Sequence, residues 1–203
     1  MIQTRESWLF KNLANIITVS GLFLTFGLIF LAATNPYRIW EIVTLVILIG
    51  LSDFLDGKVA RYFKIQSAFG EAIDRFRDKI FICTVLLLLV WYLNRTEHRF
   101  FYLTPPTIIL TGFVILLECG LMGRWLYDLL TGRSVKAGQN GRIKMFIQFF
   151  LVAIWLIVLA LEKCLNCDLF SSAVYLIDTL LIVVIYYAIK SLIGYYQRAR
   201  TVK

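Results

Sequence analysis

The sequence predicts an all-α integral membrane protein with six transmembrane helices, preceded by a short helix on the membrane surface. Of the 203 residues, 60% are apolar and only three are proline, which argues against a disordered chain or a soluble globular domain. Six apolar runs approach the ~20 residues that a helix needs to cross a bilayer, and none alternates with the period of a strand. Because no linker or internal repeat divides the chain, residues 1–203 are predicted to form a single membrane domain.

The first predicted span is Ile16–Ala33. It follows Arg5 and Lys11, as the core of a signal peptide would, but its apolar run exceeds the ~7–15 residues usual there, so we interpret it as a retained helix. Apolar side chains in residues 8–17 fall near one helical face, which predicts a short helix on the membrane surface or, alternatively, an early start to the span. The other predicted spans are Trp40–Arg61, Gly70–Leu93, Thr107–Leu130, Ile143–Leu161 and Ser171–Tyr196. Charged residues interrupt the second, third and fourth spans, so hydropathy alone undercounts them.

The basic residues predict the orientation of these spans. An even number of spans places both termini on one side of the membrane, together with the loops after the second and fourth spans. Of the 21 Lys and Arg residues, only Arg38, Arg95, Arg99 and Lys163 lie on the other side. The positive-inside rule therefore predicts cytoplasmic termini. The net charge of +8 is distributed between apolar runs, which favours an anionic membrane surface and phosphorylated substrates over nucleic acid.

Four aspartates lie near the cytoplasmic ends of the second and third spans: Asp53, Asp56, Asp74 and Asp78. A carboxylate at membrane depth costs roughly 2.5–3.5 kcal/mol, so four together predict a function or a counter-charge. The first pair is three residues apart and the second pair four, so each pair shares a helical face. Two neighbouring antiparallel helices would direct all four carboxylates into one space, roughly 10 Å below the cytoplasmic edge of the bilayer.

Four carboxylates in one space predict a metal and phosphate site. Two hard divalent cations would balance them while binding substrate phosphates. Gly57, Ala60 and Gly70 remove side-chain bulk beside the aspartates, and Arg61 offers a planar cation suited to phosphate. The alternatives are an ion path through a cation transporter, or ion pairs with neighbouring cations, mainly on faces away from the pocket. Those cations are Lys58, Arg75, Arg77 and Lys79.

These residues match the signature of the CDP-alcohol phosphotransferase family at every spacing. The signature, D-x2-D-G-x2-A-R-x8-G-x3-D-x3-D, runs here from Asp53 to Asp78. The chain thus resembles membrane enzymes that transfer a phosphatidyl-type group from a CDP-linked donor, CDP-diacylglycerol, to an alcohol and release CMP. The resemblance implies that the four aspartates hold two divalent cations, Mg²⁺ or Mn²⁺, that Asp78 is the catalytic base, and that the protein is a homodimer. The implied nucleotide-binding residues are Asp53, Gly57, Ala60, Arg61 and Gly70.

The acceptor alcohol is indicated by a further resemblance, to the phosphatidylglycerophosphate synthases. Three stretches are similar: Asp78-Lys79, residues 15–18 (Asn-Ile-Ile-Thr), and residues 141–145 (Gly-Arg-Ile-Lys-Met). The last stretch departs at Met145, where Thr is usual, and Arg75 stands where Pro is usual. The resemblance implies glycerol 3-phosphate as the acceptor, with inositol phosphate, serine or another lipid as alternatives.

A phosphorylated acceptor needs cations beyond those that serve the donor. Arg142 and Lys144 open the fifth span, and Arg124 lies in the fourth, so these three are the candidates. The alternative for each is a topology-setting charge at the lipid surface. Glu118 and Asp128, also in the fourth span, would pair with Arg124 or line a polar cavity.

Cys164 and Cys167 form a C-x-x-C pair in the loop after the fifth span. No thioredoxin-like strand and helix surround the pair, and two cysteines cannot complete a four-ligand zinc site. They predict a structural disulfide if the exterior is oxidising, or two free thiols.

Overall fold

The computed structural model describes residues 3–62, 68–95, 104–131, 139–165 and 169–201. Within these ranges the chain forms six α-helices and no strand, which confirms the predicted all-α membrane fold. The helices are α1 Gln3–Thr34, α2 Ile39–Tyr62, α3 Ala68–Arg95, α4 Thr104–Leu130, α5 Gln139–Leu165 and α6 Phe170–Thr201.

Four segments of the described helices are long and apolar enough to cross a membrane: Ile16–Thr34, Pro105–Leu130, Gln139–Leu165 and Ser172–Gln197. The helices α2 and α3 have 24 and 28 residues. At 1.5 Å per residue they are about 36 and 42 Å long, enough for a hydrocarbon core of ~30 Å. Because α2 and α3 contain several charged residues, they are not among these four segments. That α2 and α3 cross the membrane therefore stays a prediction.

The amphipathic segment near the N-terminus is not a separate helix. α1 is continuous over 32 residues from Gln3 to Thr34, about 48 Å at the usual rise. Residues 3–20 contain no Gly or Pro that would interrupt it. The helix of the first span therefore starts early, at Gln3, as the alternative interpretation of the sequence had it.

The helices divide into two compact units, Met1–Thr84 and Val85–Lys203, with the division inside α3. In the first unit, α1 packs on α2 after a tight turn at residues 35–38. A backbone hydrogen bond from Asn35 N to Leu31 O, 2.8 Å long, ends α1 at this turn. The buried residues recur every three or four positions, on α1 Thr18, Gly21, Thr25 and Leu28, and on α2 Ile42, Val46, Ile49, Ser52 and Asp56. Several of them are small or polar, as is usual where membrane helices approach closely.

In the second unit, α6 packs against both α4 and α5. Its buried face repeats at intervals of three and four residues: Val174, Ile177, Leu181, Val184, Ala188, Ser191 and Tyr195. The Thr107 hydroxyl donates to Asp178 Oδ1 at 2.6 Å, which joins α4 to α6. Cys164 is exposed near the end of α5. Cys167 lies outside the described residues, so the predicted disulfide stays a prediction.

Candidate active site

In the first unit, α2 and α3 bring three of the four predicted aspartates together. Carboxylate oxygens of Asp53, Asp56 and Asp74 all lie within 4.8 Å of one another. Asp53 and Asp56 lie about one turn apart near the end of α2, and Asp74 lies in the second turn of α3. The three-residue spacing on α2 thus places both of its carboxylates on one face.

The four aspartates differ in exposure. The side chains of Asp53 and Asp74 are 51% and 38% exposed, whereas those of Asp78 and Asp56 are 26% and 8% exposed. Thr18 of α1 donates its hydroxyl to Asp56 Oδ2 at 3.0 Å, so α1 also fixes the most buried carboxylate. The cluster therefore has a closed side at Asp56 and an accessible side at Asp53 and Asp74.

Arg77 of α3 lies among these aspartates, and its side chain is 0% exposed. Its Nη1 donates to Asp56 Oδ2 at 3.0 Å, and its Nη2 donates to Asp74 Oδ1 at 2.6 Å and to Asp53 Oδ1. Asp78 Oδ1 is 3.8 Å from the same Nη2. One guanidinium is thus within ion-pair distance of all four carboxylates.

This position corrects the interpretation of Arg77 from the sequence, which expected such pairing mainly on faces away from the pocket. A signal for the observed position was present. Arg77 follows Asp74 by three residues, and residues three apart on a helix are neighbours on its surface. The family signature accepts any residue at position 77, so matching the signature does not identify Arg77 as part of the site.

A glycine on α1 makes room for the guanidinium. A Cβ atom on Gly21 would lie 2.6 Å from Arg77 Nη1 and 2.7 Å from Ser52 Oγ. Ser52 is itself held, since its hydroxyl donates to the carbonyl of Ile17 at 3.1 Å. A side chain at position 21 would therefore displace Ser52 or Arg77. Gly21 was not predicted from the sequence, because nothing local distinguishes it from the other glycines.

The donor set of the cluster fits a hard divalent cation. Oxygen ligands at about 2.1–2.6 Å from one ion span up to about 5 Å, and the three carboxylates lie within 4.8 Å of one another. Four carboxylates share one guanidinium, and when all four are ionised their negative charge exceeds its positive charge. Each carboxylate also has lone pairs beyond those that accept from Arg77.

The family relation is established by the sequence as a whole. The sequence profile of the family described as CDP-alcohol phosphatidyltransferase matches residues 11–190. The chain belongs to this family. The membership confirms the resemblance that the aspartate signature indicated, and it extends across all six helices.

Three relatives of this family member each have the name CDP-diacylglycerol–glycerol-3-phosphate 3-phosphatidyltransferase. The protein of Cereibacter sphaeroides is 33% identical over 101 residues, 49% of this chain and 44% of that protein. The protein of Haemophilus influenzae is 33% identical over 109 residues, 53% of this chain and 55% of that protein. The protein of Rickettsia typhi is 26% identical over 145 residues, 71% of this chain and 75% of that protein. The chain thus spans about half the length of the first two relatives.

The nucleotide-binding residues expected of a family member lie on the same two helices as the aspartates. Gly57 directly follows Asp56, and Gly70 lies one turn before Asp74; both glycines are half-buried. Ala60 and Arg61 lie in the last turn of α2, and their side chains are outside the described part of the structure.

The candidates for acceptor binding lie in the second unit, where two of them contact carboxylates. Lys144 Nζ donates to Glu118 Oε1 at 2.6 Å, and both side chains are buried. Gln148 Nε2 donates to the same oxygen at 2.7 Å. The sequence predicted that Glu118 pairs with Arg124 or lines a polar cavity; in the structure it pairs with Lys144 and Gln148 of α5.

The other candidate that contacts a carboxylate is Arg124, whose partner lies in the same helix, α4. Arg124 Nη2 donates to Asp128 Oδ1 at 2.8 Å, and the guanidinium carbon lies 5.3 Å from the ring centres of Tyr127 and Tyr196. The pairing of Arg124 with Asp128 is thus one of the two outcomes expected from the sequence. Arg142, in the first turn of α5, is the exposed member of the three candidates.

Proposed function

We propose that the protein transfers a phosphatidyl group from CDP-diacylglycerol to glycerol 3-phosphate, giving phosphatidylglycerophosphate and CMP. The carboxylate cluster of α2 and α3 carries this proposal, because it consists of signature residues of the family to which the chain belongs. The names of the relatives support glycerol 3-phosphate as the acceptor.

In the proposed reaction, the acceptor hydroxyl attacks the phosphorus that carries the diacylglycerol. A bond forms between the hydroxyl oxygen and this phosphorus, the bond to the CMP oxygen breaks, and the hydroxyl proton passes to Asp78. Asp53, Asp56, Asp74 and Asp78 would hold two divalent cations, Mg²⁺ or Mn²⁺, which when bound stabilise negative charge on the phosphate oxygens. The proposed nucleotide-binding residues are Asp53, Gly57, Ala60, Arg61 and Gly70.

The acceptor phosphate is assigned to basic residues of α4 and α5. Arg142 is the first candidate because it is exposed, and Arg124 and Lys144 are further candidates. The excess of basic residues on one side supports cytoplasmic termini and a cytoplasmic active site. The family match extends over both compact units, which supports one functional domain. Family resemblance supports a homodimer.

The test uses the full-length protein in lipid nanodiscs with CDP-diacylglycerol and Mg²⁺ or Mn²⁺. Glycerol 3-phosphate, inositol phosphate and serine are added one at a time, and a reaction without acceptor measures hydrolysis of the donor. We expect CMP release that depends on glycerol 3-phosphate, and a lipid product with the mass of phosphatidylglycerophosphate. Absence of CMP with every acceptor would contradict the proposed activity, whereas another product mass would replace the proposed acceptor.

A further inference from the structure

The guanidinium of Arg77 occupies a position that a cation-binding site would otherwise leave to a metal ion. Its two terminal nitrogens contact oxygens of Asp53, Asp56 and Asp74, the same three residues whose carboxylates lie within 4.8 Å of one another. A dication that binds these oxygens would come within a few ångströms of the guanidinium charge. At that separation the two positive charges repel strongly, even with the screening usual near a protein surface.

We propose that Arg77 is a built-in counter-cation of the aspartate cluster, and that its Nη2 and a divalent cation compete for Asp53 and Asp74. This inference rests on the proposed cation site and assigns to it a residue that the family signature leaves open. Arg77 acts on the reaction through the aspartates, so it is a positioning residue.

The two ends of the guanidinium differ in how firmly they are held. Nη1 contacts the buried carboxylate of Asp56, which also accepts a hydrogen bond from Thr18, and Gly21 and Ser52 lie close to this side. Nη2 contacts the two more exposed carboxylates, Asp53 and Asp74. A cation from solvent reaches the exposed carboxylates first. The Nη2 contacts therefore yield when a cation binds, while the Nη1 contact with Asp56 persists.

The competition has two consequences for the protein. Without divalent cations, Arg77 stabilises carboxylates that would otherwise repel one another. With divalent cations, the same charge weakens their binding. Removal of the Arg77 charge should thus loosen the metal-free protein and tighten metal binding, whereas a merely structural arginine would not affect metal affinity in this direction.

The test measures Mn²⁺ binding to the full-length protein by the electron paramagnetic resonance of free Mn²⁺, without substrate. Arg77→Met should bind Mn²⁺ at least about tenfold more tightly than the unaltered protein, because a unit positive charge is removed from the site. Arg77→Lys keeps the positive charge but has one nitrogen in place of the two terminal nitrogens of the guanidinium. Its Mn²⁺ affinity should therefore lie between those of the unaltered protein and Arg77→Met. Lys58→Met is the control. It removes the same charge from α2, where the exposed Lys58 Nζ lies 5.7 Å from the centre of the Phe54 ring, so its affinity should stay within about threefold.

A second measurement on the same variants is the midpoint of thermal unfolding. In EDTA the midpoint should be lower for Arg77→Met than for the unaltered protein, and Mn²⁺ should raise it by more in the variant. Equal or weaker Mn²⁺ binding by Arg77→Met would overturn the inference. If Arg77→Met does not fold, Arg77→Lys provides the test. In that case, Mn²⁺ binding by Arg77→Lys no tighter than that of the unaltered protein would overturn the inference.

Failure of this inference and failure of the proposed function give different results. Acceptor-dependent CMP release together with unchanged Mn²⁺ affinity in the Arg77 variants would overturn only the role of Arg77. Tighter Mn²⁺ binding by Arg77→Met without CMP release from any acceptor would overturn only the proposed reaction. Absence of Mn²⁺ binding in all variants would overturn the role of Arg77 together with the proposed cation site.

Discussion

The two compact units accommodate buried charge in different ways. In the first unit, the guanidinium of Arg77 lies within ion-pair distance of all four signature aspartates, so four carboxylates share one guanidinium. In the second unit, Lys144 faces Glu118 and Arg124 faces Asp128. In a matched pair each charge neutralises the other, whereas an unmatched cluster attracts further cations. The balance of charge therefore distinguishes a candidate binding site from ion pairs that join or brace helices.

The largest effect that this comparison predicts is loss of activity in Asp78→Asn. The substitution keeps the size of the side chain and removes the proposed proton acceptor, so CMP release should fall about 10²–10⁴-fold. The rate is measured with saturating substrates, and the midpoint of thermal unfolding reports on folding. The control is Asp178→Asn in α6, where an amide oxygen can still accept from Thr107. Its rate should stay within about threefold. A full rate in Asp78→Asn would show that another group takes the proton.

The next largest effect concerns the buried pair of the second unit. Lys144→Met leaves the charge of Glu118 buried, so the variant should lose about 3–5 kcal/mol of stability. The double variant Lys144→Met with Glu118→Gln removes both charges, keeps an oxygen that can accept from Gln148, and should recover most of that loss. Thermal unfolding of the two single variants and the double variant measures this coupling. A double variant no more stable than Lys144→Met would contradict a matched pair.

The same double variant addresses the proposed role of Lys144 in acceptor binding. Because its stability should be close to that of the unaltered protein, a change in kinetics can be interpreted directly. An increase in KM for glycerol 3-phosphate would support Lys144 as a ligand of the acceptor phosphate. An unchanged KM would assign Lys144 to joining α4 and α5, and would leave Arg142 and Arg124 as the acceptor candidates.

The helices and the aspartates could be predicted from the sequence because both depend on local spacing. Apolar runs of sufficient length predict helices, and intervals of three and four residues place Asp53 with Asp56 and Asp74 with Asp78. The roles of Arg77 and Gly21 depend on contacts between helices that are distant in sequence. Nothing near Gly21 indicates that Ser52 and Arg77 would lie against it. Likewise, Glu118 and Lys144 are 26 residues apart, so their pairing depends on how α4 and α5 meet.

A smaller effect is expected where α1 makes room for Arg77. Gly21→Ala places a methyl group less than 3 Å from Arg77 Nη1 and Ser52 Oγ, and such overpacking typically costs about 1–3 kcal/mol. Gly27→Ala is the matched control on the same helix, since a Cβ there would meet nothing within 4 Å. That variant should be neutral, or more stable by up to about 1 kcal/mol, because Ala favours helix over Gly. Equal shifts of the unfolding midpoint in both variants would mean that the space beside Arg77 is not restricted.

The smallest effect distinguishes an exposed acceptor cation from an exposed charge that only sets topology. Arg142 and Lys163 are both exposed and lie near opposite ends of α5. Arg142→Met should raise the KM for glycerol 3-phosphate about tenfold, equivalent to about 1.4 kcal/mol, with little change in kcat. Lys163→Met should leave both constants unchanged, because the predicted topology places it on the other side of the membrane. The effect of Arg142→Met should also shrink as salt is added, since exposed charges are screened. Equal changes in KM for the two variants would indicate a general effect of net charge, and the acceptor phosphate would then have to be bound elsewhere.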